Sequence, residues 1–200
     1  MGARAMTTMT KYKRSHANRG KWLETAIENA AAVAAKRGEG ALVKLATPYL
    51  LPKDGPGGTQ RILRQRSTVD FVGVVAGVPV AFDAKAAESE YVAVKRLQDH
   101  QAQFLIDFKR AGGIGAVLIA FGVGRAYLAD VAWWMQWAVG GRKRLHSPDF
   151  RDAAADLDLV VPVPAGSRGY ALDWPGAVVA LAALQERGSA RLGGASCLRP

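Results

Sequence analysis

Ser67-Thr68-Val69-Asp70-Phe71-Val72-Gly73-Val74-Val75, then Ala76-Gly77, then Val78-Pro79-Val80-Ala81-Phe82-Asp83-Ala84-Lys85, is the stretch whose reading decides the fold. Both outer runs are apolar and rich in β-branched residues, as strands are, and the two small residues between them fit a two-residue hairpin loop. Side chains alternate between the faces of a strand, so Asp83 and Lys85 point the same way. Asp70 lies thirteen residues before Asp83, near the far end of the partner strand, so the three groups converge at one end of a sheet. Two carboxylates and an ammonium on apolar strands have the makings of a divalent-metal site for phosphodiester hydrolysis. The bland alternative is a set of solvated strand-end charges, because Asp-x-Lys recurs by chance.

Composition narrows the choice. A chain of 200 residues, half of them apolar, fits one domain with ragged ends and enough core to fold. Lys and Arg number 27 against 17 Asp and Glu, a net charge of +10 that favours a polyanionic partner, nucleic acid or an anionic membrane. The membrane option is weak, since no apolar run approaches the roughly 20 residues needed to span a bilayer. The N-terminus, Met1-Gly2-Ala3-Arg4-Ala5-Met6, lacks the apolar centre of a signal peptide. Cys197 is the single cysteine, so no internal disulfide or cysteine-based zinc cluster is expected. These features predict a cytoplasmic, nucleoid-associated protein, or one of the host cytoplasm if virally encoded.

The positive charge is clustered. Residues 1–21 hold Arg4, Lys11, Lys13, Arg14, Arg19 and Lys21 with no acidic residue, and 1–16 are expected to be a disordered basic arm. Arg61, Arg64 and Arg66 follow the Gly/Pro-rich run Pro52-Lys53-Asp54-Gly55-Pro56-Gly57-Gly58, expected to make a flexible basic loop over about 52–66. Arg142-Lys143-Arg144 follows Gly140-Gly141. Each cluster alone reads as solubilising charge, but three on loops and ends favour a surface that tracks phosphates. The folded domain is expected over 17–187, with 188–200 a disordered tail.

Periodicity fills in the frame. Helices are expected over 18–36, with Asn18 as N-cap and Gly38 ending it, and over 94–110, ended by Gly112-Gly113. A tryptophan-rich helix follows over 129–139, then a short one near Asp152 and another over 174–186. Strands are expected over 41–46, 115–121, 125–128 and 159–163, with Gly122-Val123-Gly124 a hairpin turn rather than a nucleotide loop. The order gives a single-domain α/β fold, a mixed sheet flanked by helices. His16, His100 and His146 have no metal-ligand spacing, and no nucleophilic serine motif is present.

Four segments together resemble one family: Asn18-Arg19-Gly20 with Glu24 four residues on, Ser67-Thr68-Val69-Asp70, Ala81-Phe82-Asp83-Ala84-Lys85, and His100-Gln101. The strand pair carrying Asp and Asp-x-Lys resembles the PD-(D/E)xK nuclease superfamily, which has a restriction-endonuclease-like fold. The full set, over roughly 18–130, resembles its RecU-type Holliday junction resolvases. The chain departs from that family in placing Asp83 where Glu is usual and in having Ala81-Phe82 where a further acid often precedes it.

The resemblance implies roles. Asp70 and Asp83 would bind Mg²⁺, with Mn²⁺ substituting and no small-molecule cofactor; the Ala84 carbonyl and Glu24 would complete the ligands, Glu24 directly or through water. Lys85 would orient or deprotonate the attacking water, and Gln101 would hydrogen-bond water or phosphate nearby. Arg19, Lys21, Arg61, Arg64, Arg66 and His100 would contact DNA, although His100 also reads as a packing residue. In-line attack on phosphorus would leave a 5′-phosphate, and the two-fold symmetry of four-way DNA would call for a homodimer. Trp133, Trp134 and Trp137 serve equally as its interface or as core. The alternatives are another nuclease of this fold, in restriction or repair, and a non-catalytic nucleic-acid-binding protein.

Overall fold

The computed structural model describes residues 20–46, 49–54, 60–64, 68–122, 124–157, 159–166 and 171–193, with the backbone alone for 49–54, 60–64 and 188–193. Its first elements are α1 (Lys21–Lys36), β1 (Gly40–Lys44), β2 (Tyr49–Asp54), β3 (Gln60–Arg64), β4 (Phe71–Val75) and β5 (Val78–Ala87). There follow β6 (Tyr91–Ala93), a 3₁₀ turn (Val94–Arg96), α2 (Asp99–Arg110), β7 (Ile114–Phe121) and β8 (Ala126–Asp130). The last are α3 (Val131–Val139), β9 (Arg144–His146), α4 (Ser147–Ala155), β10 (Val160–Pro162) and α5 (Trp174–Gly193).

The predicted hairpin forms as β4 and β5, paired from Val75↔Val78 to Phe71↔Phe82. Ala76 and Gly77 both adopt positive φ, +48° and +81°, as a type I′ loop requires. Around this hairpin the main sheet runs β1-β4-β5-β7-β8-β10. Only β5 and β7 pair in parallel, and α2 lies in the crossover between them; the other four pairings are antiparallel. The result is the mixed sheet flanked by helices that the sequence predicts.

Alternation along β5 divides the molecule into two layers. Val80, Phe82 and Ala86 face a core built with α1 and α5, whereas Ala81 and Ala87 face one built with α2, α3 and α4. In the first core Phe82 stacks on Phe71 at 5.2 Å and meets Trp174 at 5.8 Å. The indole N–H of Trp174 donates to the Ile27 carbonyl at 3.2 Å, tying α5 to α1. Full burial of each such ring contributes about 2–3 kcal/mol. In the second core Trp133 and Trp134 surround Phe150, with ring centroids 4.9 and 6.2 Å away. At 2% and 0% exposure these two tryptophans are core residues, and Trp137 is half-buried beside Trp133.

Several boundaries differ from those the sequence predicts. The cap of α1 is Gly20 and the helix begins at Lys21; Asn18, the expected cap, lies outside the described residues. Its end is as expected: Gly38, at φ +69°, lets Gly38 N–H and Glu39 N–H close on Ala35 and Ala34 carbonyls. The α2 helix starts at Asp99, because extended Leu97 and the extended cap Gln98 separate it from the 3₁₀ turn. The α5 helix continues to Gly193.

The predicted loop over 52–66 contains an antiparallel ribbon, β2 on β3. Its register shifts between Leu50 and Lys53, a bulge that spans Pro52, a residue with no N–H to give to a ladder. No helix among the described residues is long and apolar enough to cross a membrane.

Candidate active site

The hairpin register places Asp70, one residue before Phe71, across from Asp83, one residue after Phe82. Asp70 is a bend rather than the last residue of β4, and its carbonyl accepts from Leu45 N–H at 2.8 Å. Its carboxylate takes over where the ladder stops: Oδ2 accepts from the Ala84 N–H at 2.8 Å. The Ala84 carbonyl leaves the strand on the same side as its N–H, so it shares that edge with Asp70.

Asp83 is fully buried, on the face covered by α2. Gln101 Nε2 donates to Asp83 Oδ1 at 2.6 Å, while Gln101 Oε1 accepts from the Gln98 N–H at 3.1 Å in a capping box. The cap therefore fixes which end of the amide meets the carboxylate. Helix α2 sits close to the sheet because Gly115 lies beneath it; a Cβ there would stand 2.1 Å from the Leu105 carbonyl oxygen.

The Lys85 ammonium forms an ion pair with Asp83 Oδ2, yet no donor is aligned on that buried oxygen as a hydrogen bond. Burial pushes the Asp83 carboxyl up to about 7, with the Lys85 charge pulling it down and the Asp70 charge adding to the rise. The pocket is therefore short of positive charge.

That shortage is the test of fit for a metal. Two carboxylates and a neighbouring carbonyl form an all-oxygen donor set, the kind a hard divalent cation takes, and the buried Asp83 Oδ2 has the Lys85 ammonium against it without an aligned hydrogen bond. Among the described residues no three or more His, Cys, Asp or Glu gather as a metal-binding group. Two carboxylates match Mg²⁺, which usually keeps water and substrate phosphate in its shell.

Glu24 is not brought into this group. Helix α1 packs on the opposite face of the sheet from Asp83, and Lys44 at the end of β1 holds Glu24 and Glu28 at 2.9 Å each. The Glu24 carboxylate is thus paired with Lys44, whose register partner Phe71 follows Asp70 in the chain. Lys21 is exposed at the first turn of α1, and His100, partly exposed, precedes Gln101 on α2. Arg61 and Arg64 fall on β3, where the backbone alone is described; Arg19 and Arg66 lie outside the described residues.

In the third basic cluster two side chains are already engaged. Arg142 pairs with Asp149 at 2.8 Å and lies over the Trp137 ring, and Arg144 lies over Tyr91. A cleft of about 950 Å³ on the far side of α2, lined by Lys95, Leu97, Trp134 and Lys143, holds none of the carboxylate group.

Sequence reasoning missed two arrangements. Asp130 is fully buried as the N-cap of α3, where its Oδ1 accepts from Ala132 N–H, and Lys109 Nζ reaches both its oxygens at 2.7 Å. Gln185 of α5 also donates to it. An Asp just before the tryptophan-rich helix was the available signal for the cap. Arg96, bonded to the carbonyl of Ala86, had no signal, because β5 and the 3₁₀ turn meet only in three dimensions.

With this geometry in view, the sequence model of the RecU family, recombination protein U, matches residues 18–164. The chain belongs to the RecU family. The matched span runs from the Asn-Arg-Gly segment through β10, so it includes the carboxylate group and the β2–β3 ribbon. Among similar proteins is the Holliday junction resolvase RecU of Geobacillus kaustophilus, 30% identical over 142 residues, covering 65% of this chain and 71% of that protein. The RecU of Lactiplantibacillus plantarum is 28% identical over 152 residues, covering 70% and 73%. A solved structure of Hjc, a Holliday junction resolvase of Archaeoglobus fulgidus, is 16% identical, with a TM-score of 0.36 over 54% of this chain and 77% of that one.

Proposed function

We propose that this RecU-family protein is a metal-dependent endonuclease that resolves four-way DNA junctions, acting as a homodimer that nicks opposed strands. The observation that carries the reading is Asp70 in register with fully buried Asp83, whose carboxylate is contacted by Lys85 and Gln101. The substrate class follows from family membership and from relatives named as Holliday junction resolvases. Asp70, Asp83 and the Ala84 carbonyl would hold Mg²⁺ or Mn²⁺, which supplies Lewis-acid polarisation of a phosphoryl oxygen when bound.

The chain's own residues do the rest. Lys85, drawn toward Asp83 in the resting protein, holds the attacking water in line and offsets negative charge as it builds on phosphorus. Gln101 keeps Asp83 in one rotamer and leaves α2 seated over the site. The water oxygen bonds to phosphorus as the bond from phosphorus to the 3′ oxygen breaks; the water's proton passes to solvent and the departing 3′ oxygen takes one from solvent, leaving a 5′-phosphate and a 3′-hydroxyl.

The experiment is cleavage of a mobile four-way junction and of linear duplex, with and without Mg²⁺, by wild type and by Asp70→Ala, Asp83→Ala and Lys85→Ala. Paired nicks near the branch point by wild type alone are expected, with junction binding retained in the variants. Equal cutting of linear duplex would make the protein a different nuclease of this fold. Junction binding with no cutting by either wild type or Asp83→Ala in Mg²⁺ would make it a binding protein.

A further inference from the structure

Strand β5 outruns its partner. The β4 ladder ends at Phe71↔Phe82, so the even-numbered residues beyond Phe82 present their main-chain groups to an edge with no β4 rung beside it. Ala84 uses that edge to meet Asp70. The next even residue, Ala86, accepts a hydrogen bond from Arg96 Nη1 at 2.7 Å. Two residues of strand separate these contacts, about 7 Å along the edge. That distance is comparable to the step between successive phosphates of a DNA strand.

Arg96 is held there firmly. It closes the 3₁₀ turn between buried Val94 and buried Leu97, and that turn is anchored by Val94 N–H on the Lys143 carbonyl and by Leu97 N–H on the Val94 carbonyl. A few residues on, the same segment gives Gln101 to Asp83, so the turn and the start of α2 clasp β5 at two points. The neighbouring Lys95 differs, since it lines the cleft on the far side of α2.

Among the described residues the charge of Arg96 has no acidic partner. Its side chain makes one hydrogen bond, to a neutral carbonyl. The contrast is with Arg110, Arg125, Arg142 and Arg151, each in an ion pair. A guanidinium has five N–H donors in a planar fork, so an exposed, backbone-anchored Arg96 keeps several for an anion of tetrahedral oxygens.

We propose that Arg96 forms a phosphodiester-binding subsite on the edge of β5 beyond the β4 ladder, holding the phosphate next to the one that is cut. It acts as a positioning residue: by fixing the neighbouring phosphate it sets which phosphodiester lies over Asp70 and Asp83. The inference rests on the nuclease reading above for the identity of the cut phosphate, but its binding component stands apart from cleavage.

The test is a cycle between Arg96→Ala and neutral methylphosphonates placed one at a time along the strand at the branch point, in the intact protein. It is read first as junction binding in EDTA, where cleavage plays no part. One methylphosphonate should weaken wild-type binding about tenfold, as a charge-assisted hydrogen bond warrants, and weaken Arg96→Ala less than about twofold. Arg96→Lys, which keeps the charge but not the fork, should fall between the two, with melting temperatures confirming that all three are folded. With Mg²⁺, Arg96→Ala should spread its nicks over neighbouring phosphates while wild type cuts at one. Equal penalties in wild type and Arg96→Ala at every position would overturn the subsite, whether or not the protein cuts. Failure of wild type to cut, with the binding cycle intact, would instead overturn the nuclease reading and leave an anion-binding arginine.

Discussion

Metal-free protein should lose stability as pH rises from about 4 to about 7, and Asp83 should be the cause. Its carboxyl is displaced from an ordinary 3.8 to about 7, first by burial. The native state therefore binds this proton more tightly than the unfolded chain does. Between the two values the folded protein holds more protons, so stability is full below the lower one and is lost as pH climbs through the upper one. At 1.36 kcal/mol for each tenfold displacement the whole loss is about 4 kcal/mol. Urea unfolding in EDTA, followed by tryptophan fluorescence, should be compared for wild type and Asp83→Asn at pH 4.5 and pH 8. Subtracting the variant removes the titration of every other carboxylate. The difference should fall by about 3 kcal/mol across that range, with the variant more stable at pH 8. Mg²⁺ at a hundredfold excess over its Kd should then restore about 2.7 kcal/mol to wild type and nothing to Asp83→Asn. A difference that stays constant within about 1 kcal/mol would show that Asp83 is not the buried, proton-retaining group described here.

Other perturbations probe the frame. Lys109→Met should cost about 3–5 kcal/mol in urea unfolding, because Asp130 would keep a buried charge without its cation; a loss under about 1 kcal/mol would refute that pairing. Gly115→Ala should cost about 1–3 kcal/mol by driving α2 off the sheet, and should lower Mg²⁺ affinity by displacing Gln101; calorimetry showing unchanged metal binding would separate α2 seating from the site. Ala76→Gly should raise the melting temperature, since glycine relieves roughly 1–2 kcal/mol of left-handed strain and returns part of it as chain entropy. A lower melting temperature would count against strain at that turn.

What could be read from the sequence was whatever local chemistry determines. The hairpin was legible because Ala76-Gly77 sits between two β-branched runs, and once its register was set the opposition of Asp70 and Asp83 followed by counting. Gln101 was legible by resemblance, but its orientation depends on Gln98, which no spacing rule singles out. Glu24 shows the limit. Resemblance alone pointed to it, but the face on which α1 packs, and the capture of its carboxylate by Lys44, arise from tertiary packing. The β2–β3 ribbon was hidden by its own Gly/Pro-rich connection, whose composition outweighed the short apolar runs on either side. Asp130 and Lys109 are 21 residues apart on different elements, and nothing in either segment names the other.

The bond from the Trp174 indole to the Ile27 carbonyl spans 147 residues of chain. During synthesis, the carboxylate-bearing hairpin is made long before the ring that covers Phe82 emerges, so that face of the sheet stays uncovered until α5 follows. A growing chain therefore carries Asp70 and Asp83 before the ring that packs against their neighbour Phe82 is in place.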